Sequence, residues 1–427
     1  MVVGVGIFKT PSIVASSADS EAMLILFWLM GGVASFIGAM CYAELSSTYP
    51  HAGGDYHYLQ KSFGRVPSFL YAWGRMAVIQ TGSIAMVAFL VGDYASEIWR
   101  LGPYSTSIYA ALTIILFTAV NIAGTSPGKW TQKLLIVAIV SGLVIVAMIG
   151  LFLPEPQVAA NDGKIIPGKV ALGTAMIFVL LSYSGWNEAA FISAEVCATR
   201  RNMVRVLLYS IIIITILYLL VNVALLNGLG LSGMAESEAV MADLMRRVFG
   251  DNGARFISFL ILLAALSTIN AAIITGARAN YALGQDYPPL NFLGRWQGER
   301  NTPANALLVQ GLIALLLVLL GTGTRDGFVM MVEYTAPVFW LFLLMVGLSI
   351  FVLRNRHPEV PRPFMVPLYP LAPFLFCIIC VFMLYSSLMY TSSGALIGIG
   401  VLLTGIPMII IIQKRSTAMN NNQKDRR

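Results

Sequence analysis

Two short stretches of this chain carry polar and backbone chemistry inside apolar surroundings. In "LLSYSGWNEAAF", Ser182, Ser184, Gly185, Asn187 and Glu188 fall in the middle of the apolar run 171–195. An ionisable side chain at mid-membrane depth is costly and marks a functional site by default. In "MVVGVGIFKTPS", Gly4 and Gly6 stand ahead of Pro11, where a smooth helix would have no such residues. Glycine gives up the most conformational freedom on folding and lets the backbone leave helical φ/ψ.

A helix broken in mid-bilayer exposes N–H groups where one half begins and carbonyls where the other ends. The N–H end attracts an anion such as a carboxylate, and the carbonyl end a cation such as an ammonium. Two breaks in corresponding segments therefore suit a zwitterion, for which amino acids are the obvious candidates, and point to a transporter site. Close helix packing through small residues explains "GVGIF" taken alone. It does not explain Gly-Trp-Asn-Glu in the paired segment.

The elements that must position these breaks are membrane helices. The 427 residues are 58% hydrophobic and 11% charged, with mean hydropathy +0.79. That charge content is less than half the roughly 25% of a soluble domain. The expected fold is an all-α integral membrane protein. A spanning helix needs about 20 mostly apolar residues, and eleven such runs stand near 22–46, 67–92, 104–123, 131–153, 171–195, 204–228, 253–283, 304–321, 327–353, 366–390 and 394–413. Residues 1–17 supply a short twelfth. Runs this long exclude the strands of a membrane barrel.

The net charge of +7 raises nucleic acid as a partner. The basic residues lie between apolar runs, however, and report topology instead. With the run at 22–46 ending inside, inner loops and tail hold 18 Lys and Arg against 7 in outer loops. Both termini are then cytoplasmic, and 414–427 is a polar tail. The outer segment "MAESEAVMADLMRRVFG" has helical spacing that suits either a helix lying on the membrane surface or one capping the bundle. Cys41, Cys197, Cys377 and Cys380 form no disulfide framework, and "CIIC" reads as apolar packing. His51, His57 and His357 have no helical metal-ligand spacing. No cofactor, metal or catalytic constellation is expected, so the chain does not read as an enzyme.

The residues resemble the amino acid–polyamine–organocation transporters, in the L-type amino acid transporter branch. The resemblance runs in order from "GVGIF" with Pro11, through "FWLMGGVASFIGAMCYAELSSTYPHAGGDYHYL", "YSGWN", "EVCATRRNM" and "ALSTINAAIITGARANYALGQDYPPL", to "RPFMVPLYP". It implies twelve helices with a LeuT-like 5+5 inverted repeat. Residues 1–153 form the first repeat, 171–353 the second and 366–413 two extra helices, all within one transporter domain over 1–413. Helices 1 and 6 are the broken pair, and the first is truncated here. That family moves its substrate by alternating access. Backbone groups of Gly4, Val5, Gly6, Ile7 and Phe8 then hold the carboxylate. Backbone at Tyr183, Ser184 and Gly185 approaches the ammonium, with Asn187 nearby and Trp186 lining the site or bracing it from outside.

The chain departs from the family at three places. The gating position, often aromatic, is Leu181. Helix five, "LLIVAIVSGLVIVAMIG", lacks the lysine that many members use in place of sodium or to take a proton. "GDYASEIWRLGPYSTS" has no cysteine, so no disulfide-linked heavy chain is expected. Coupling stays open between sodium at Ser267 and Thr268, a proton on Glu188 or Glu333, and exchange without an ion. Hydroxyl oxygens suit a hard cation, but Ser and Thr in helices also bond carbonyls one turn back. Glu188 has a plainer reading too, as partner to an Arg or Lys. Lys9, just outside the first break, either disfavours cationic substrates or extends to an outer vestibule. A polyamine carrier of the same fold and a non-transporting membrane sensor or inactive truncated form are the alternatives; a polyamine would want more cavity carboxylates than Glu188. The first half-helix, about ten to fifteen residues in length, is missing ahead of "GVGIF", so Met1 reads as a misassigned start or a truncation.

Overall fold

The computed structural model describes residues 5–51, 53–124, 129–153, 171–188, 200–297, 302–324, 326–389 and 393–412. Gly4, Cys197, most of the "EVCATRRNM" loop, and the tail 414–427 lie outside the described residues. Described secondary structure is helical apart from one isolated bridge between Gln297 and Thr302. Among the described residues nine helices are long and apolar enough to cross a membrane, and Ile139–Leu151 and Leu172–Ser182 are shorter apolar ones. Helix thus occupies each of the eleven runs.

The chain opens with a 3₁₀ turn, Val5–Phe8, followed by the short helix α1 (Thr10–Ala15). Pro11 sits in the first turn of α1, where its missing N–H costs nothing. α2 (Glu21–Thr48) starts at Ser20, whose hydroxyl accepts from the Met23 N–H at 3.3 Å. The loop after α2 carries α3 (Asp55–Phe63), and α4 (Arg65–Gly74) leads through a π turn, Arg75–Ile79, into α5 (Gln80–Ile98). π turns inside helices gather at functional sites. α6 (Ser105–Ile122), α7 (Lys129–Leu151) and α8 (Ala171–Ser182) follow, and α8 stops where "SYSGWNE" begins.

In the second half, α9 (Arg200–Glu236) bends at Gly230 and α10 (Val240–Asp286) at Gly250. α11 (Ala304–Thr322), α12 (Gly327–Arg356), α13 (Leu371–Met389) and α14 (Ser393–Leu403) complete the chain. α5 lies at the centre, packed against α6, α10, α11 and α12. Exposed Leu and Ile on α6, α9 and α11 form the apolar outer surface that lipid would cover. The outer segment before Gly250 caps the bundle: Val240, Met241, Leu244 and Met245 are buried in the main core. A helix lying on the membrane surface would leave those residues outside it.

One clamp ties the end of α2 to the end of α12. Glu44, with its side chain 4% exposed, accepts from Arg354 Nε at 2.7 Å, Arg354 Nη2 at 2.5 Å and the Val366 N–H at 2.7 Å. It joins α2 to α12 and to the segment entering α13. Removing one partner of a buried pair leaves the other charge uncompensated, at about 3–5 kcal/mol. Glu44→Ala is therefore expected to lower the thermal unfolding midpoint in detergent sharply. A midpoint within a degree or so of the parent would show that the clamp carries no stability.

Candidate functional site

The two interrupted helices meet face to face. Thr10 Oγ1 and Ser182 Oγ lie 2.6 Å apart, and Gly6 is so close to Ser182 that an added Cβ would sit 3.0 Å from its Oγ. The carbonyls freed by the first break have partners. Gly6 O accepts from the Lys9 N–H at 2.9 Å and Thr10 Oγ1 at 3.0 Å, and Phe8 O accepts from Tyr94 Oη on α5 at 2.8 Å. At the second break, Tyr218 Oη donates to Ser182 O at 3.1 Å. Asn187 Oδ1 accepts from the Gly185 N–H at 3.3 Å, and Gly185 has φ 108°, which only glycine adopts easily.

A cavity of about 350 Å³ opens beside these breaks, a size usual for small-molecule sites. Gly6, Leu181, Ser184, Gly185, Asn187 and Glu188 line it from the two breaks, and Ser267 and Thr268 from α10. The rest of the wall is mostly apolar, including Ile79, Met86, Ile177, Val332, Phe339 and Trp340, with Gln80, Ser83, Thr275 and Thr335 as polar exceptions.

Other residues singled out by sequence sit elsewhere. Ile7 and Phe8 are buried in the helix core. Tyr183 turns its ring toward Trp28 and Tyr218, and its hydroxyl donates to Trp28 O at 3.0 Å. Trp186 packs edge-on against Tyr42, centroids 5.1 Å apart, and against Phe376, so it braces the break from behind. Thr268 Oγ1 donates to Ala264 O one turn back at 3.0 Å. Of Gly4 and the carbonyls before Val5 nothing is described, and Val5 contributes only its place in the 3₁₀ turn.

Two ion clusters were not legible as clusters. Glu188 receives both Arg75 Nη2 contacts, at 3.1 and 3.2 Å, from the π turn of the third segment. Opposite lone charges in two apolar runs were the available signal. Lys9 is 6% exposed, with its ammonium 2.9 Å from Asp93 and 3.4 Å from Asp326, and it also donates to Glu238 O at 3.3 Å. The expectation of a lysine extended to an open vestibule fails here: two carboxylates hold it inside. A third pairing, Asn121 Nδ2 to Asn270 Oδ1 at 2.7 Å, joins α6 to α10 and had no sequence signal beyond two amides in apolar runs.

Membrane-length helices around a cavity lined by two irregular helix ends agree with a carrier. A family model described as amino acid permease matches residues 1–412, and the chain belongs to that family. The chain is 29% identical over 399 residues to the b(0,+)-type amino acid transporter 1 of Rattus norvegicus, covering 90% of this chain and 79% of the relative. It is 23% identical over 420 residues to the Serine/threonine exchanger SteT of Bacillus subtilis, covering 98% and 94%. Against the Large neutral amino acids transporter small subunit 2 of Mus musculus it is 28% identical over 425 residues, covering 96% and 78%. The family and these relatives are transporters, and this chain is a transporter rather than an enzyme.

Holding Gly185 at a positive φ matters because it turns the chain between α8 and Asn187. A β-carbon there strains the backbone by roughly 1–3 kcal/mol. Gly185→Ala should therefore lower the unfolding midpoint by a few degrees, measured by scanning fluorimetry of the purified protein. An unchanged midpoint would show that the turn accepts a side chain.

Proposed function

We propose that the protein carries amino acids across a cell membrane by alternating access, binding the zwitterion between the breaks of helices 1 and 6. The observation that carries this reading is the Thr10–Ser182 contact at 2.6 Å, which fastens the two breaks together beside a cavity of about 350 Å³. N–H groups of the Gly4–Phe8 stretch take the carboxylate. The carbonyl end of α8 at Tyr183–Gly185, with Asn187 beside it, takes the ammonium. The apolar wall accepts the side chain, with Leu181 at the gate. The relatives' names all specify amino acids or an amino-acid pair. Among the described residues Glu188 is the one carboxylate lining the cavity, and Arg75 holds it, so a polyamine finds little counter-charge.

The inverted repeat assigns 1–153 and 171–353 to the two halves that rock against each other. The Lys and Arg bias supports cytoplasmic termini and an outward-facing Lys9 cluster. Lys9 then locks the outer end of helix 1 to α5, to the start of α12 and to the capping segment at Glu238. The cavity is closed from outside in this state, and the chain acts without a disulfide-linked partner.

Proteoliposomes loaded with unlabelled L-amino acids should accumulate labelled L-leucine by counterflow. Leucine analogues lacking either the ammonium or the carboxylate should compete at least tenfold less well. Equal competition by the amine and the acid would sink the zwitterion site. Lys9→Met should open the outer side. In a protein with its own cysteines replaced, a Cys at position 83 should react several-fold faster with an impermeant thiol reagent added outside. Equal reaction rates in the two backgrounds would dispose of the outer lock.

A further inference from the structure

A second polar assembly shares Glu188 with the cavity and runs from it to an inner loop. Asp55, the first residue of α3, is 4% exposed although it belongs to an inner loop. Its Oδ2 accepts from Tyr71 Oη at 3.1 Å, and Tyr71 Oη accepts in turn from Arg75 Nη1 at 3.2 Å. The other arm of the same guanidinium, Nη2, holds Glu188 at 3.1 Å, and Glu188 lines the cavity. One cation thus stands between two carboxyl groups, one facing the substrate space and one facing the inner loop. Among the described residues Asp55 Oδ1 and the Tyr42 hydroxyl on α2 are buried without a partner at good hydrogen-bond geometry, and they lie close enough to act on each other.

We propose that Asp55 is the proton site of this carrier, and that its proton and the substrate bind in opposition through Arg75. This rests on the transport reading above. With the proton on Asp55, nothing draws Arg75 away from Glu188, and the carboxylate at the cavity wall stays neutralised. When the proton leaves to the water of the inner loop, Asp55 becomes an anion. It then competes for Arg75 through Tyr71, and Glu188, partly released, reinforces the carbonyl end of α8 in holding the substrate ammonium. An ammonium beside Glu188 in turn favours the deprotonated form of Asp55. Each ligand disfavours the other, as reciprocal linkage requires.

The surroundings support a proton at this place. Burial lifts the Asp55 carboxyl to about 7; Arg75 pulls against that, Glu188 adds to it, and the Tyr42 and Tyr71 hydroxyls pull against it. A carboxyl raised from its ordinary range is protonated below that pH and ionised above it, so substrate affinity should rise as pH passes upward through 7. The other groups around it are accounted for. On α3 itself, His57 is pushed down to about 4 by burial, by His51 and by Lys61, so it stays neutral in this range. His51 is exposed, stacks on His57 and accepts from the Gly53 N–H at 2.9 Å. From α12, which packs on α3, Arg356 donates to Ser62 O at the far end of the helix.

The test measures concentration dependence of uptake of a mixture of labelled standard L-amino acids into proteoliposomes between pH 6 and 8. The half-saturating concentration of the wild type should fall several-fold across that range, within the limit of about tenfold per pH unit for one linked proton. Asp55→Asn, a fixed neutral group, should transport with the weak acid-side affinity at every pH. Tyr71→Phe cuts the connection to Arg75 while leaving Asp55 in place, and should also flatten the profile; it serves if the Asn variant does not fold. Substrate addition should release protons from the wild type and not from either variant. Transport with a wild-type pH profile in both variants would overturn the proposal, as would a wild type that transports with no pH dependence. A wild type that moves no amino acid at any pH overturns the transport reading instead.

Discussion

A broken helix in a membrane survives only if other parts of the protein take over its backbone hydrogen bonds, and most of this structure follows from that demand. Lipid offers no donors or acceptors, so each freed carbonyl must find one inside the bundle. Tyr94 reaches from α5 to Phe8 O, Tyr218 from α9 to Ser182 O, and Thr10 folds back onto Gly6 O. The same hydroxyl of Thr10 touches Ser182. The two irregular stretches are consequently held to each other and to the surrounding helices, so a ligand bound there as proposed would meet an arrangement already fixed. Such pre-organisation lowers the ordering cost of binding.

The charged residues follow a related rule. A charge left in a low-dielectric interior must be paired or neutralised. Arg75 with Glu188 and Lys9 with Asp93 and Asp326 meet that rule at opposite ends of the first break's surroundings. Each pair also crosses between helices that alternating access would move relative to one another. Ion pairs suit such positions because they can be exchanged for water or for another partner when the helices part, whereas an apolar contact has no second partner to turn to.

Much of the architecture was written in the sequence because hydropathy over about 20 residues is a strong, local signal. Among the described residues helix stands in each apolar run, and the Val5–Phe8 turn and the end of α8 fall where glycine and polar residues interrupt the pattern. The family resemblance and the permease match agree along the chain. What the sequence did not carry is direction. "SYSGWN" names six residues but not that Tyr183 and Trp186 turn toward Trp28 and Tyr42 while Ser184, Gly185 and Asn187 face the cavity. Side-chain direction in an irregular segment depends on the neighbours it packs against, which lie far off in sequence. The pairing of Lys9 was hidden for the same reason, since Asp93 and Asp326 are distant along the chain. Met234 to Met245 allowed two placements, and only the burial of Met241 and Leu244 distinguished them.

Asp326 divides its two oxygens between different tasks. Oδ1 accepts from the Val329 N–H at 3.1 Å and so caps α12, while Oδ2 faces the Lys9 ammonium at 3.4 Å. A carboxylate used in this way behaves as a swivel: it can lose its grip on a moving neighbour without loosening the helix that carries it. The start of α12 is therefore a fixed post, and parting from Lys9 leaves the Val329 N–H capped.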